Sequence, residues 1–242
     1  IRALAEEGFL TMLAPRSAGG QGLGSVAYAL AVTEVARACA STSVTMAVTN
    51  MVADAISAFG NEAQQQAHVP RLGRAEHLAG SFCLSEPGAG SDAASLQTVA
   101  AKRGDRYVLN GTKMWITSGD VAGVLLVMAK TDVAAGARGI SAFLVDPEAA
   151  GVALGKKEEK MGLRASSTVA ITLEDVEVPE TARLGPEGIG FKIAMRALDG
   201  GRIGIGSQAL GIADAALEQV KAALREEDAL RSATAEARLA AL

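Results

Sequence analysis

Aromatic residues are scarce in this chain of 242 residues, in which they make up 3% against 49% for all hydrophobic residues. The core is therefore expected to consist mainly of alanine, valine, leucine and isoleucine. There is also no excess of basic residues, because the formal net charge is −4 and the pI is about 5.4. This balance argues against a nucleic-acid-binding protein, which usually carries a basic patch. The length allows one large domain or two to three small ones.

Long apolar runs are missing too. No stretch reaches the roughly 18 uninterrupted apolar residues of a transmembrane helix, so no membrane span is expected. No signal peptide opens the chain. The first residue is Ile1 rather than methionine, which indicates a fragment or a trimmed chain.

Cysteine and histidine are rare. Cys39 and Cys83 are the only cysteines. Both lie in apolar segments and are predicted to be buried free thiols, as is typical of a reducing compartment. His68 and His77 lack ligand spacing with cysteines or acidic residues, so no metal site is expected.

Three segments follow from the hydrophobic periodicity. Residues 1–78 have a helical pattern, residues 79–187 alternate, and the helical period returns over 188–242. The predicted fold is therefore α+β and multidomain: an N-terminal helical domain, a middle antiparallel β-barrel or sandwich, and the start of a C-terminal helical bundle. Expected strands lie at 81–85, 95–102, 106–109, 112–117, 123–130, 140–145, 152–155 and 168–178.

Local signals place the first helices. Leu4, Phe9 and Leu13 space like one helix face before a glycine-rich break at 15–24. A helix is expected over 26–40, where Glu34 and Arg37 can form an i,i+3 pair. Further helices are predicted over 44–59, with an N-cap at 41–43, and from an Asn61 cap to about Leu72.

Residues 81–92 form the stretch around which the chain is organised. Phe82 to Leu84 predict the end of a buried strand, and Pro87 begins a glycine-rich turn. Gly88 and Gly90 permit positive φ and close approach of a flat ligand, so main-chain N–H groups and the Ser85 and Ser91 hydroxyls could point at one guest. An ordinary hairpin loop is the alternative.

Residues 110–117 form the second stretch. It begins with an Asn110–Gly111 pair, which predicts a turn, and contains Trp115, the only tryptophan. A third stretch lies in the last helix, where Gly200 and Gly201 stand between Asp199 and Arg202. An acid and a guanidinium beside uncovered peptide units could grip a polar ligand, and an ordinary surface ion pair is the alternative. Helix packing is the expected reason for Gly204, Gly206 and Gly211.

Together these motifs closely resemble the acyl-CoA dehydrogenase family, most of all its short-chain, butyryl-type branch. The resemblance runs to about residue 218 and also includes the stretches 139–145 and 155–164. It implies FAD, an acyl-CoA substrate and a homo-oligomer, dimeric or tetrameric if the C-terminal bundle exists. It further implies electron transfer to an electron-transfer flavoprotein, in the bacterial cytoplasm or the mitochondrial matrix.

The resemblance also assigns roles by position. Trp115 would lie against the flavin ring, Thr117 would bond near N5, and Ser91 would touch the flavin phosphate or the CoA pantetheine. The CoA chain and adenosine would contact residues 199–202. The full set implied for the cofactor is Phe82, Cys83, Leu84, Ser85, Gly90, Ser91, Trp115, Ile116 and Thr117, and that for the substrate is Ser91, Asp199, Gly200, Gly201 and Arg202.

The implied reaction is α,β-dehydrogenation, in which a glutamate removes the α-proton while hydride passes to flavin N5. That glutamate is missing: no Tyr-Glu-Gly-Thr stretch occurs, and the position used by another branch is Gly201. The family's Arg-x-x-Phe-Gly motif is also absent, and 219–242 reads as a generic amphipathic helix. A non-catalytic homologue that binds FAD or acyl-CoA is therefore the alternative function, and an acyl-CoA oxidase is a third that nothing in the sequence favours.

Overall fold

This computed structural model describes residues 1–226 of the chain. They contain five α-helices and eight β-strands, joined by loops and short 3-10 turns. The helices are α1 (Arg2–Glu6), α2 (Ser25–Ala38), α3 (Ala40–Phe59), α4 (Glu62–Gly73) and α5 (Gly190–Glu226). The strands are β1 (Ala79–Cys83), β2 (Val99–Arg103), β3 (Arg106–Thr117), β4 (Ala122–Lys130), β5 (Ile140–Val145), β6 (Val152–Leu154), β7 (Thr168–Pro179) and β8 (Arg183–Leu184).

The helical segment follows its local signals in α2 and α4. Asn61 caps α4 as predicted, in a capping box with Gln64 whose two hydrogen bonds measure 2.9 and 3.0 Å. The predicted pair on α2 is present, with Arg37 Nε 3.5 Å from the carboxylate of Glu34. These contacts are local, which is why the sequence alone could predict them.

Two expectations about the helical segment were wrong. The first helix ends at Glu6, because Gly8 turns the chain with a φ of +75°, and Phe9 and Leu13 therefore lie beyond the helix. Helix α3 begins at Ala40 rather than after an N-cap at 41–43. Those hydroxyl residues lie inside the helix, where Ser43 Oγ donates to the carbonyl of Ala40 at 2.9 Å.

The α2–α3 junction also corrects the prediction for Cys39. The residue has extended backbone, with a φ of −157°, and breaks one helical path into two. Its side chain is exposed, unlike that of Cys83, which is buried. Burial raises the pKa of the Cys83 thiol to about 12.

The strands form one sheet in the order β6-β7-β3-β2-β4-β5-β8, with β1 paired to β4. Most pairings are antiparallel as predicted, but β1 and β2 both pair with β4 in parallel. Parallel neighbours cannot be joined by a hairpin, and in this chain at least one other strand lies between β4 and each of its parallel partners.

Strands β4 and β5 are buried on both faces and separate two apolar cores. Leu126, Met128 and Ala142 face α3, α4 and α5, whereas Leu125, Val127 and Phe143 face β3 and β7. The middle segment is thus a two-layered β domain with helices on one side, which confirms the predicted fold class. In residues 1–226 no helix is long and apolar enough to cross a membrane.

Helix α5 runs unbroken from Gly190 to Glu226, as its periodicity predicts. A Cβ added to Gly204 would lie 2.4 Å from the Tyr28 hydroxyl, and one on Gly211 would lie 2.2 Å from the Thr33 carbonyl. Close packing against α2 therefore explains both glycines. It does not explain Gly206, which faces open space. Of the amphipathic helix predicted over 219–242, residues 227–242 lie outside the described part of the chain.

Candidate functional site

The two motif stretches meet where β1 and β3 end. The main-chain N–H of Met114 donates to the carbonyl of Ser85 at 2.9 Å, and Ser81 Oγ donates to the carbonyl of Thr117 at 2.8 Å. Trp115 follows Met114 directly, so the structure places Ser85 and Trp115 beside one backbone hydrogen bond. The two segments thus share one junction, here called the β1–β3 junction.

Trp115 is held in an unusual conformation at this junction. Its φ is +62°, a value rare for a residue with a side chain, and the pairing of β3 with β7 shifts register between Lys113 and Ile116. The bulge leaves the Trp115 side chain 60% exposed. Strained backbone that presents a large aromatic side chain to solvent is typical of a ligand-binding position.

Four of the other predicted cofactor residues have side chains in one of the two apolar cores. The side chains of Cys83 and Ile116 lie in the core between the β layers, while Phe82 and Leu84 pack on the core beneath the helices. The positions of Cys83 and Ile116 therefore leave only their main chains free for a role at the junction.

The turn after β1 is closed by two hydrogen bonds between Glu86 and Ala89, at 3.0 and 3.1 Å. Neither Gly88 nor Gly90 adopts positive φ, and a Cβ on either would meet no protein atom within 4 Å. The freedom to adopt positive φ is therefore not used at either glycine. What these glycines provide is the lack of a side chain, which leaves open space beside the turn, and not an unusual backbone conformation.

Asn110–Gly111 does not form the predicted turn. Both residues lie inside β3, where the amide of Asn110 bridges to Asp175 of β7 through bonds of 3.0 and 2.9 Å. Asn110 and Gly111 lie where the register of β3 against β7 shifts, opposite Asp175, whose φ is +49°. A bulge and a turn share the same residue preferences, so local sequence did not distinguish them.

A buried ion pair at the junction was missed from the sequence. Lys113 Nζ lies 2.8 Å from Glu86 Oε1, and the two side chains are 0% and 5% exposed. Burial alone would raise the pKa of Glu86, but Lys113 and the hydrogen bonds from Lys113, Thr98 and Gln97 hold that pKa below its usual range. Burial lowers the pKa of Lys113, and Glu86 opposes this shift. The only sequence signal was a lysine on the inward face of an alternating strand.

The polar groups of the two motif stretches suit a flat, neutral ring system. Within residues 1–226, the hydroxyls of Ser85, Ser91 and Thr117 and the indole nitrogen of Trp115 have no protein hydrogen-bond partner. Ser85 and Thr117 are half-buried, and Ser91 is exposed. Neutral donors beside an aromatic face fit the isoalloxazine ring of a flavin. The described residues include no group of three or more His, Cys, Asp or Glu side chains placed to hold a metal ion.

Four of the five predicted substrate residues lie on α5 between two grooves, whereas Ser91 lies in the segment that follows β1. Asp199 and Arg202 form an ion pair of 2.7 Å with each other, and their side chains are 70% and 76% exposed. This is the geometry of the surface-pair alternative. Asp199 and Gly200 line a groove with Asp54, Lys192 and Arg196, whereas Gly201 and Arg202 line a second groove on the other side.

The second groove is apolar and has a volume of about 430 Å³. Helix α3 contributes Met51, whose sulfur would lie 3.2 Å from a Cβ on Gly201. The glycine thus keeps the groove open between α3 and α5. The sequence analysis did not identify the α3 wall, because its residues are indistinguishable from ordinary core positions. That wall consists of Ala47, Val48 and Met51.

Comparison with known proteins agrees with this architecture. Residues 1–76 match the model described as acyl-CoA dehydrogenase, N-terminal domain, and residues 81–176 match acyl-CoA dehydrogenase, middle domain. The two matches together cover more than two thirds of the chain. This chain therefore belongs to the acyl-CoA dehydrogenase family.

The similarity can also be stated for individual relatives. The short-chain specific acyl-CoA dehydrogenase of human mitochondria is 50% identical over 212 residues, which are 87% of this chain and 51% of the human protein. The structure of butyryl-CoA dehydrogenase from Megasphaera elsdenii has a TM-score of 0.86 at 42% identity, covering 90% of this chain and 58% of that one. A glutaryl-CoA dehydrogenase from Mycobacterium smegmatis, in complex with FADH2, has a TM-score of 0.91 at 31% identity, covering 99% and 61%. The chain thus spans about half the length of the curated relatives that it matches.

Proposed function

We propose that this chain carries the flavin site and part of the substrate site of an FAD-dependent acyl-CoA dehydrogenase for short-chain thioesters. The observation that carries the proposal is the β1–β3 junction, where the N–H of Met114, next to Trp115, donates to Ser85 beside neutral hydroxyls and the exposed indole. Similarity to short-chain and butyryl-type dehydrogenases supports the same function. The reaction would convert an acyl-CoA to a trans-2-enoyl-CoA.

The residues at the junction would bind and orient the cofactor. The Trp115 indole would cover one face of the ring, while the hydroxyls of Ser85 and Thr117 would donate to its polar edge. Gly90 and Ser91 would offer an open, polar approach for the remainder of the cofactor. When bound, FAD would supply the hydride acceptor, and the protein would supply placement and electrostatics.

The acyl chain would lie in the apolar groove between α3 and α5. Its volume of about 430 Å³ falls in the range of small-molecule sites. Arg202 lines this groove, and its guanidinium, paired with Asp199, would contact the CoA chain and adenosine. Gly201, packed near Met51, sets the width of the groove.

A specific observation favours a second candidate, binding of FAD or acyl-CoA without turnover. Gly201 stands where another branch of the family has its base, and glycine cannot abstract a proton.

A short-chain dehydrogenase also needs partners beyond this chain. We therefore include in the proposal an electron-transfer flavoprotein as acceptor, a homo-oligomer, and a location in the bacterial cytoplasm or mitochondrial matrix.

Flavin loading tests the proposal. The 242-residue chain, purified with added FAD, should retain a yellow chromophore that bleaches anaerobically when butyryl-CoA is added. A chain that takes up no FAD would contradict the flavin site. Retained flavin with calorimetric binding of butyryl-CoA but no bleaching would favour the binding-only alternative.

A further inference from the structure

The buried Glu86–Lys113 pair lies behind both walls of the β1–β3 junction. Lys113 precedes Met114, whose N–H binds Ser85, and its ammonium also lies 3.3 Å from the carbonyl of Leu84 as a donor. Glu86 directly follows Ser85. The 2.8 Å ion pair therefore joins the two segments on either side of their shared backbone hydrogen bond.

The carboxylate of Glu86 also fixes a third segment. Its oxygens accept from the N–H of Gln97 at 2.5 Å, and from the N–H and hydroxyl of Thr98 at 3.0 and 2.5 Å. Thr98 reaches this position because β3 has Gly111 beside it, where a Cβ would lie 2.4 Å from the Thr98 hydroxyl oxygen. The loop that follows the Glu86–Ala89 turn is thereby held by the same carboxylate.

Stability alone does not account for a charged pair at this place. Burying two charges costs solvation free energy, and well-packed apolar replacements of buried ion pairs are often equally stable or more so. An ion pair differs from apolar packing in being directional, because each hydrogen bond admits a narrow range of distances and angles. What this pair adds is therefore a defined position for the groups around it.

We infer that Glu86 and Lys113 are positioning residues, which hold Ser85 and Trp115 at the separation that a flavin ring requires. Neither side chain is exposed enough to touch a ligand, so both act through the main chain of Leu84, Ser85 and Met114. The inference rests on the proposed function for the identity of the ligand. The geometric part, that the ion pair sets the separation of Ser85 and Trp115, does not depend on FAD.

Trp115 allows both parts to be measured, because it is the only tryptophan in the chain. Three variants of the 242-residue chain are needed: Lys113→Met, the double variant Glu86→Gln with Lys113→Met, and Lys102→Met as the matched control. Lys102 lies in the same β domain and forms an exposed pair of 3.0 Å with Glu180. The readouts are Trp115 emission and anisotropy without flavin, the Kd for FAD, the visible circular dichroism of bound FAD, and Tm.

Lys113→Met should lower Tm, shift Trp115 emission, lower its anisotropy, and raise the Kd for FAD by about tenfold or more. The double variant should recover Tm, since no unpaired charge remains buried, but should keep the altered tryptophan signal, the raised Kd and the changed dichroism. Lys102→Met should match the wild type in every readout.

Two results would overturn the inference. In one, Trp115 fluorescence is unchanged in both Lys113 variants. In the other, FAD affinity and dichroism recover together with Tm in the double variant, as a purely structural role predicts. A wild-type chain that binds no FAD would instead refute the proposed function, and with it the flavin part of the inference. The fluorescence of the flavin-free variants would then still decide the geometric part.

Discussion

Two buried polar clusters lie at opposite ends of β1 and solve the same problem differently. At the C-terminal end, Glu86 and Lys113 are charged and surrounded by hydrogen-bond partners. Before the start of the strand, His68 and His77 stack with ring centroids 5.8 Å apart beside a cavity of about 290 Å³. Among residues 1–226, no partner bonds His68 Nδ1 or His77 Nε2.

The difference shows how a buried titratable group is stabilised in each case. Glu86 stays ionised because a cation and several donors outweigh the cost of burial. In the described part of the chain the imidazoles have no such hydrogen-bond partners, and the nearby carboxylate of Asp146 opposes burial only in part, so they stay neutral instead. Burial, with smaller contributions from Arg71 and His68, lowers the pKa of His77 to about 4. The Glu86–Lys113 cluster is stabilised by the pairing of opposite charges, whereas in the histidine cluster both imidazoles are neutral.

Breaking the charged cluster should have the largest effect. Glu86→Ala leaves Lys113 buried without its partner and removes the acceptor for Thr98 and Gln97. We expect a loss of about 3–5 kcal/mol in the free energy of unfolding, measured by urea denaturation. A loss below about 1 kcal/mol, the size found for exposed pairs, would show that water or rearrangement compensates for the missing carboxylate.

The histidine cluster should be broken by a single methyl group. A Cβ on Gly123 would lie 2.0 Å from His77 Nδ1, so Gly123→Ala must displace the ring. Overpacking of this kind costs about 1–3 kcal/mol, and denaturation curves should show it. Adding His77→Ala should restore much of the loss, since the clash disappears. If the double variant is as unstable as the sum of the singles, the two positions are not in contact.

The neutral state of His77 makes stability depend on pH. The folded pKa is about 4, below the ordinary value of 6.5. Between these values the unfolded chain binds a proton that the folded chain does not, so stability falls as the pH drops from 6.5 toward 4. After allowance for screening we expect about 1–2 kcal/mol from this residue. Denaturation of His77→Gln should show a flatter pH profile in that window, and an unchanged slope would contradict the assignment.

The smallest effect should come from an exposed pair in the same β domain. Lys102 and Glu180 are 49% and 42% exposed and lie 3.0 Å apart. Lys102→Met should change the free energy of unfolding by about 0.5 kcal/mol or less. A loss comparable to that of Glu86→Ala would mean that burial is not what distinguishes the two pairs.

How far the sequence predicted this structure depended on the distance over which each feature acts. The Asn61 cap, the Glu34–Arg37 pair and the long α5 follow from neighbours along the chain, and all three are confirmed. The contact between Glu86 and Lys113 joins residues 27 positions apart, and local patterns carry no information about it. The exposure of Cys39 was likewise set by how α2 and α3 join.

The site shows the same division. The motifs around Ser85 and Trp115 indicated two segments of interest, and the structure brings them together through Met114. Their roles toward a cofactor remain predictions. The positive φ of Trp115 was not predictable, because it results from a register shift against β7 rather than from its own side chain.

The core beneath the helices has a consequence for any attempt to divide the protein. That single cluster contains Val52 and Leu72 from the helical segment, Leu126 and Leu144 from the sheet, and Ile193 from α5. Severing the polypeptide between α4 and β1 would divide this cluster between the two pieces. Segments that look separable along the sequence should therefore melt in one cooperative step, and neither fragment should be recoverable as a soluble, folded unit.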